Sequence, residues 1–321
     1  MPRTLEPPTL DEIRAARDRI AGTAIRSPLV RLSAPNGPGA IHLKLESLQP
    51  IGSFKIRGAL NAIRLAPRES LARGVYTASA GNMAQGVAWT ARELGIPCAV
   101  VVPDHAPETK LRAVERLGAR VVKVPFEEWW RVMVEHRYAG LEGHFVHPVS
   151  DPAVIAGNGT IGLEIVEDLP GVEAILIPYG GGGLSTGIAT AVRAVRPGVR
   201  IFACEVETAA PLAASLAAGA PRTIGYTPSF VDGIGGRSVL EEMWPLARRL
   251  LDGSLVVSLR QVADAVRLLA EHNRVIAEGA GAVPVAAALT GRAGAGQIAC
   301  VVSGGNLDSA ALVKILVGEI P

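Results

Sequence analysis

Short apolar runs rich in β-branched residues alternate with helical stretches along almost the whole 321-residue chain. Continuous apolar strands are typical of a sheet that is covered on both faces, and strand–helix repetition favours parallel pairing. The predicted strands are 41–46, 74–79, 98–102, 120–124, 174–179, 199–205, 254–258 and 297–303. The sequence therefore predicts an α/β fold with mostly parallel sheets and helices on both faces.

Helices are predicted between most of these strands, and one more precedes the first strand. Thr9 and Glu12 have the spacing of a capping box at the start of that first helix. The predicted helices are 10–21, 57–66, 82–95, 107–117, 127–139, 152–168, 183–195, 209–218, 260–273, 280–290 and 308–318.

A chain of this length can form two lobes. The segment 147–159 is expected to cross between them. We therefore predict a small lobe at 47–147, and a large lobe formed by residues 1–46 together with 148–321.

Charge and composition exclude several classes of function. The net charge is only +2, with both signs mixed along the chain, which gives no electrostatic case for binding nucleic acid or a membrane surface. No apolar run reaches the roughly 20 residues of a bilayer span, and the N-terminus lacks the form of a secretory signal. Cys98, Cys204 and Cys300 lie in separate strand-like runs, and neither they nor the histidines have metal-ligand spacing. We expect core thiols, no metal and a cytoplasmic location.

Two loops in the N-terminal half carry residues that could perform chemistry. In "GSFKIRG" (52–58), Lys55 follows Phe54 after a Pro–Gly break. Lys55 is either a solvated lysine at a helix start or a partly buried nucleophile that forms a Schiff base with a carbonyl cofactor. In "TASAGNMAQG" (77–86), backbone N–H groups at a helix start suit a carboxylate, although ordinary N-capping explains the same residues.

Two further glycine loops follow predicted strands in the C-terminal half. Four successive glycines in "PYGGGGLSTGIA" (178–189) carry a large entropic cost, which favours a backbone cradle for phosphate over a structural turn. In "VVSGGNLDSAAL" (301–312), Ser303 either pairs with a ring nitrogen or begins a capped helix. Ligands collect at the carboxyl ends of parallel strands, so we expect these loops to converge.

The phosphate could belong to a dinucleotide or to a smaller cofactor. The glycine loop, its helix and the acidic Glu205 look like half of a dinucleotide-binding fold, but no G-x-G-x-x-G can be completed from Gly180, Gly181 or Gly182. A G-x-x-x-x-G-K-[ST] motif is also lacking. A single phosphate on a carbonyl-bearing cofactor joins the glycine loop to Lys55 in one molecule, which is pyridoxal phosphate.

The motifs "SFKIRGA", "SAGNMAQGV", "GGGGL" and "SGGN", in this order, resemble the fold-type II pyridoxal-phosphate enzymes, in the threonine/serine dehydratase and serine racemase branch. The resemblance covers about residues 10–310. It implies a two-lobed fold like that of the tryptophan synthase β-subunit, with the cofactor bound mainly by the large lobe and substrate loops in the small one. It also implies a dehydratase that converts a β-hydroxy amino acid into a 2-oxo acid and ammonia.

The resemblance also implies roles for individual residues. Lys55 would hold the cofactor and act as the catalytic base, and Phe54 would lie against the cofactor ring. Asn82 and Glu278 would lie near its 3-hydroxyl, and Ser303 would face its ring nitrogen. The phosphate would be bound by Gly180, Gly181, Gly182, Gly183 and Leu184. The substrate carboxylate would be held by Ser79, Ala80, Gly81, Asn82 and Met83.

Some positions depart from the pattern of the branch. Ala80 stands where racemases carry a second serine, so a dehydratase is favoured over a racemase. Met83 and Asn158 replace a usual histidine and glutamine on the substrate side, which puts plain threonine in doubt. An aromatic cluster is either core packing or a pocket for a bulkier substrate such as phenylserine; it comprises Phe126, Trp129 and Trp130, with Tyr138 and Phe145 nearby.

Other interpretations stay open from the sequence. They are a racemase or another β-eliminating or replacing enzyme, an NAD-dependent dehydrogenase, and a catalytically silent binding protein, which the intact Lys55 disfavours. Some relatives bind a divalent ion after the sixth strand, but here Ala209 and Pro211 follow Glu205, so no required metal is expected. Most soluble oligomers are symmetric homo-oligomers, so we expect a homodimer or homotetramer that acts on a small amino acid.

Overall fold

The computed structural model describes residues 5–33 and 40–321, and its strands form two sheets. The strands are β1 (Leu29–Arg31), β2 (Ala40–Leu45), β3 (Val75–Ala78), β4 (Cys98–Pro103), β5 (Arg120–Val124), β6 (His144–Phe145), β7 (Ala174–Pro178), β8 (Arg200–Val206), β9 (Gly253–Val257) and β10 (Gln297–Val302). One sheet has the order β1-β2-β10-β7-β8-β9 and the other the order β5-β4-β3-β6. Only β1 and β2 pair antiparallel among the described strands. The predicted α/β class with mostly parallel sheets is confirmed.

Helices connect most successive strands, as parallel pairing requires. They are α1 (Leu10–Ile20), α2 (Lys55–Leu65), α3 (Arg68–Ala72), α4 (Asn82–Glu93), α5 (Glu108–Glu115), α6 (Phe126–Glu135), α7 (Pro152–Asp168), α8 (Gly183–Val195), α9 (Pro211–Ala218), α10 (Trp244–Leu250), α11 (Leu259–Leu268), α12 (Gly279–Leu289) and α13 (Ser309–Leu316). A 3₁₀ turn spans Glu46–Leu48, and a π turn at Leu269–Asn273 continues α11. The predicted capping box of α1 is present, with the Glu12 N–H donating to Thr9 Oγ1.

The six-stranded sheet has an apolar core on each face. Successive side chains of a strand point to opposite faces, so Ala174 and Leu176 of β7 join one core while Ile175 and Ile177 join the other. Burial on both faces explains why the strands read as continuous apolar runs. Cys204 and Cys300 are fully buried core thiols, as predicted, whereas Cys98 is only half-buried.

The strands of the four-stranded sheet all lie between residues 75 and 145, and those of the six-stranded sheet lie outside this range. Helix α2 packs against both α4 and α7, so it joins the two sheet systems. The division at 47 and 147 stays a prediction, with which this strand membership agrees. None of the helices in the described part of the chain has the length and apolarity to cross a membrane.

Candidate active site

Lys55 is the first residue of α2 and lines a cavity of about 510 Å³. Its Nζ donates a hydrogen bond to the carbonyl oxygen of Pro148 at 2.9 Å and lies 5.2 Å from the centre of the Phe54 ring. Desolvation by burial lowers the pKa of Lys55 to about 8, although the nearby Glu278 carboxylate raises it in part. At neutral pH a much larger fraction of this amine is in the neutral, nucleophilic form than for a solvated lysine.

The four-glycine loop lines the same cavity, between the end of β7 and the start of α8. Gly182 precedes α8 with φ of 97°, a backbone conformation that glycine adopts without a steric penalty. The first turn of α8 leaves backbone N–H groups without intrahelical acceptors, and the helix dipole is positive there. This part of the cavity therefore suits an anion.

A carboxyl group shares the cavity with the Lys55 amine. Glu278 precedes α12 and is 6% exposed, and burial raises its pKa to about 7. Asn82 Nδ2 donates to both Glu278 oxygens, at 2.9 and 3.1 Å, which opposes that rise. Asn82 Oδ1 in turn accepts from Asn306 Nδ2 at 2.8 Å. The cavity thus holds a carboxyl that can bind or release a proton near neutral pH.

Backbone contacts hold two of the predicted loops and the segment at Glu278 together. The Phe54 N–H donates to the Ser303 carbonyl oxygen at 2.9 Å, which ties the start of α2 to the end of β10. A Cβ atom on Gly304 would lie 2.5 Å from Glu278 Oε1, so that glycine permits a close approach. Ser303 is buried and lines the cavity. The predicted convergence of these loops is confirmed.

The loop before α4 forms another part of the cavity wall. The Gly81 N–H donates to Ser79 Oγ at 3.2 Å, which shapes the turn that leads into the helix. Met83 is buried and also packs in the apolar core beside the four-stranded sheet. The cavity is lined by every residue to which the family resemblance assigned a cofactor or carboxylate contact: Phe54, Lys55, Ser79, Ala80, Gly81, Asn82, Met83, Gly180, Gly181, Gly182, Gly183, Leu184, Glu278 and Ser303.

The sequence did not indicate two other parts of the wall. Pro148 and Val149 line the cavity although their segment was predicted only as a crossover, because a backbone carbonyl acceptor leaves no residue-specific signal. At another position on the wall, Lys110 of α5 forms an ion pair with Asp232 at 2.6 Å. This pair joins segments 122 residues apart in the chain, and charge alone could not have matched them.

Part of the predicted aromatic pocket is wrong. Phe126 and Trp129 line the cavity, but Trp130 is not part of the wall. Tyr138 and Phe145 instead pack in a core of the four-stranded sheet. The motif "FEEWW" correctly predicted two of the three rings in the wall, because the i, i+3 spacing of 126 and 129 places them on one face of the helix.

Asn158 does not lie on the predicted substrate side, and Glu205 binds the start of a helix, in agreement with the disfavoured dinucleotide site. Asn158 is buried, and its Nδ2 donates to the Gly183 carbonyl oxygen at 3.3 Å, so it supports the glycine loop rather than the substrate side. The Glu205 carboxylate accepts from the Leu212 and Ala213 N–H groups at the start of α9, which removes it from a dinucleotide role. No metal-binding cluster of His, Cys, Asp or Glu is found among the described residues.

The arrangement fits an aldehyde that carries a phosphate. A buried amine of lowered pKa can form a Schiff base with the aldehyde, and the glycine loop at the start of α8 can bind the phosphate. Both line one cavity, so a single molecule can reach both.

Comparison with known proteins gives the same result. The L-threonine ammonia-lyase of Thermotoga maritima is 40% identical over 316 residues, which cover 96% of this chain and 78% of that protein. The L-threonine ammonia-lyase of Geobacter sulfurreducens is 43% identical over 310 residues, or 92% of this chain and 75% of that protein.

Solved structures agree over nearly the whole fold. Maize serine racemase superposes with a TM-score of 0.87 at 32% identity, covering 97% of this chain and 98% of that one. The threonine deaminase from T.th. superposes with a TM-score of 0.86 at 35% identity, covering 94% and 99%. The family described as "Pyridoxal-phosphate dependent enzyme" matches residues 20–304. The chain therefore belongs to the pyridoxal-phosphate dependent enzymes, as the order of its loops and its buried lysine indicated.

Proposed function

We propose that this protein is a pyridoxal-phosphate-dependent dehydratase of a β-hydroxy amino acid of the threonine/serine type. The products are a 2-oxo acid and ammonia. The observation that carries the proposal is the position of Lys55, a buried amine of lowered pKa in one cavity with a phosphate-binding glycine loop. The threonine ammonia-lyases that are 40% and 43% identical support this substrate class.

Each part of the cavity has a distinct task in this proposal. Bound pyridoxal phosphate supplies the electron sink that makes the α-proton of the amino acid acidic. Lys55 Nζ accepts that proton as general base. The N–H groups of the loop 79–83 orient the substrate carboxylate. Asn82 and Glu278, which are hydrogen-bonded to each other, line the side of the cavity from which the β-hydroxyl leaves. Ser303 lines the same cavity and would face the ring nitrogen; its hydroxyl carries no negative charge, so it would not favour protonation there.

Turnover of small β-hydroxy amino acids tests this proposal. The purified holoenzyme should release ammonia and a 2-oxo acid in equal amounts from L-threonine or L-serine. Lys55→Ala should abolish this release, and Lys314→Ala, which alters an exposed lysine of α13, should not. Intact amino acid with the Lys55 holoprotein after long incubation would refute the proposal.

A racemase is the alternative that the fold resemblance to maize serine racemase permits. Ala80 lines the cavity and has no group that can donate or accept a proton on the opposite face of the substrate. We therefore expect L-serine to yield 2-oxo acid without accumulating D-serine. Chiral chromatography of the remaining serine distinguishes the two reactions.

A bulkier substrate is the second candidate, and the aromatic wall favours it. The rings of Phe126 and Trp129 are 5.7 Å apart, and those of His105 and Phe126 are 6.0 Å apart. Trp129 Nε1 is buried and has no hydrogen-bond partner within residues 5–33 and 40–321. Such a wall suits the aromatic group of a phenylserine.

Two tryptophan variants distinguish a pocket from simple packing. Trp129→Ala should lower kcat/KM for phenylserine far more than for L-serine, because only the larger substrate would contact the ring. The exposed neighbour gives a matched control, and Trp130→Ala should change neither value by much. Equal losses for both substrates in Trp129→Ala would rule out the pocket.

The assembly, location and lobes are also proposals. A homodimer or homotetramer agrees with the prevalence of symmetric oligomers, and light scattering on the purified protein would measure its mass. The cytoplasmic location agrees with three unpaired cysteines, two of them fully buried. The small lobe at 47–147 would act as the substrate-loop domain against the larger cofactor-binding lobe.

A further inference from the structure

One short loop contacts both the lysine and the glycine loop of the proposed active site. It connects β6 to α7 and comprises residues 147–150. The Pro148 carbonyl oxygen accepts the hydrogen bond of Lys55 Nζ at 2.9 Å. A Cβ atom on Gly181 or Gly183 would come within 2.5 Å of Val149, so Val149 lies directly against the glycine loop. The conformation of this loop therefore affects both halves of the cofactor site.

The side chain of His147 forms hydrogen bonds with the backbone of this loop. His147 is 2% exposed, and its Nδ1 lies 3.1 Å from the Val149 N–H nitrogen and 2.8 Å from that of Ser150. Its Nε2 lies 3.1 Å from the Met133 carbonyl oxygen. A backbone N–H can only donate and a carbonyl can only accept, so Nδ1 is unprotonated and Nε2 carries the proton.

The surroundings of His147 agree with a neutral ring. His136, the residue after α6, stacks on it with centroids 4.1 Å apart and planes 12° apart. A charge on His136 would disfavour a second charge at this distance. Asp151 caps the start of α7 and interacts electrostatically with His136 and His144, which offers a negative partner to those two rings. Glu6 and Glu12 line a second cavity that His136 and His147 also line.

We propose that His147 is a positioning residue, whose neutral Nε2–H tautomer locks the loop that supports Lys55 and the glycine loop. The inference rests on the proposed function of this site. His147 does not line the main cavity, so it acts through Pro148 and Val149 rather than on the substrate. A misplacement of about 1 Å at a reacting group can reduce turnover by about a hundredfold, so a ring behind the cavity wall can matter this much.

Two substitutions of His147 distinguish the effect of its hydrogen-bond acceptor Nδ1 from the effect of its side-chain volume. His147→Asn places an amide oxygen where it can accept from the same two N–H groups, and His147→Leu keeps comparable volume without an acceptor. We expect the kcat of the His147→Leu holoenzyme to fall about 10- to 100-fold with little change in KM. The reason is that the substitution would displace Lys55 but leave the substrate-binding loop in place. His147→Asn should restore kcat to within a few-fold of the wild type. Equal losses in the two folded variants would overturn the proposal.

A measurement without turnover tests the tautomer directly. In the ¹⁵N-histidine-labelled holoenzyme, the histidine signal that His147→Asn removes should show a protonated Nε2 and a bare Nδ1 in long-range nitrogen–proton correlation. A protonated Nδ1 at this position would overturn the proposal even with an active enzyme. The expected tautomer with no turnover would instead count against the proposed function alone. If His147→Leu does not fold, a loss of more than tenfold in His147→Asn overturns the positioning role.

Discussion

At the residue scale, the nucleophile depends on a buried ion network two residues away. Arg57 is 1% exposed and donates to both oxygens of Glu46, at 2.8 Å each, and to both of Glu164, at 2.6 and 2.9 Å. Lys44 Nζ adds an ion pair with Glu164 at 2.6 Å. Two buried cations thus face two buried carboxylates, and the network fixes the first turn of α2, where Lys55 lies.

Removing the central cation should be costly. Arg57→Met should lower the free energy of unfolding by about 3–5 kcal/mol, because it leaves two carboxylates buried with one cation. Arg64→Met, on the exposed side of the same helix, should cost under about 1 kcal/mol. Urea unfolding of both variants measures the difference, and similar losses would show that the network contributes little.

Glu278 should give stability a distinctive pH dependence. Its folded-state pKa of about 7 lies above the ordinary value of 4.5, so the folded state binds the proton more tightly than the unfolded state. The protonated Glu278 therefore stabilises the folded state fully below the unfolded pKa, and this stabilisation is lost as pH rises through about 7. The loss amounts to about 3 kcal/mol.

Glu278→Gln should remove this dependence, since glutamine does not titrate. As pH rises from 4.5 to 7, the free energy of unfolding of the cofactor-free wild type should therefore fall relative to that of the cofactor-free variant. Parallel curves would mean that the Glu278 carboxyl has the same pKa in the folded and the unfolded protein.

At the element scale, the eight predicted strands end within one residue of their observed ends, because burial on both faces makes each a continuous apolar run. Elements too short for a periodic signal were missed: β1, β6, α3 and α10. Helix α2 begins at Lys55 rather than at 57. This start could not be predicted, because Phe54 has no capping side chain and its N–H instead donates to the carbonyl oxygen of Ser303, at the end of a distant strand. Motif residues could be predicted from the sequence, whereas partners such as Pro148 and Asp232 depend on tertiary packing.

The junction of β7 and α8 should tolerate a methyl group at one glycine and not at another. A Cβ on Gly183 would lie 2.5 Å from the Val149 carbonyl oxygen, whereas on Gly180 the nearest atom would be 3.5 Å away. Gly183→Ala should raise the Kd for pyridoxal phosphate about tenfold or more, since overpacking strain is typically about 1–3 kcal/mol.

Gly180→Ala is the matched control within the same loop, and its effect should be clearly smaller. Spectrophotometric titration of the cofactor-free variants gives both constants. Equal affinities in the two variants would mean that the loop adjusts without affecting the phosphate site.

At the scale of the whole molecule, the site exists because two sheet systems bring loops from distant parts of the chain to one cavity. Helix α2 packs against both systems, and its first residue is the lysine. The glycine loop and Ser303 come from the six-stranded sheet, and the loop at 79–83 comes from the four-stranded sheet. No single segment could both hold the phosphate and present the amine.

The most direct test of this account is the visible spectrum of the purified protein before and after borohydride, followed by peptide mapping. The account predicts a coloured protein that bleaches on reduction and carries a pyridoxyl group on Lys55. Lys55→Ala should carry no such label. A colourless protein that pyridoxal phosphate does not reconstitute, or a label on a different lysine, would contradict the account.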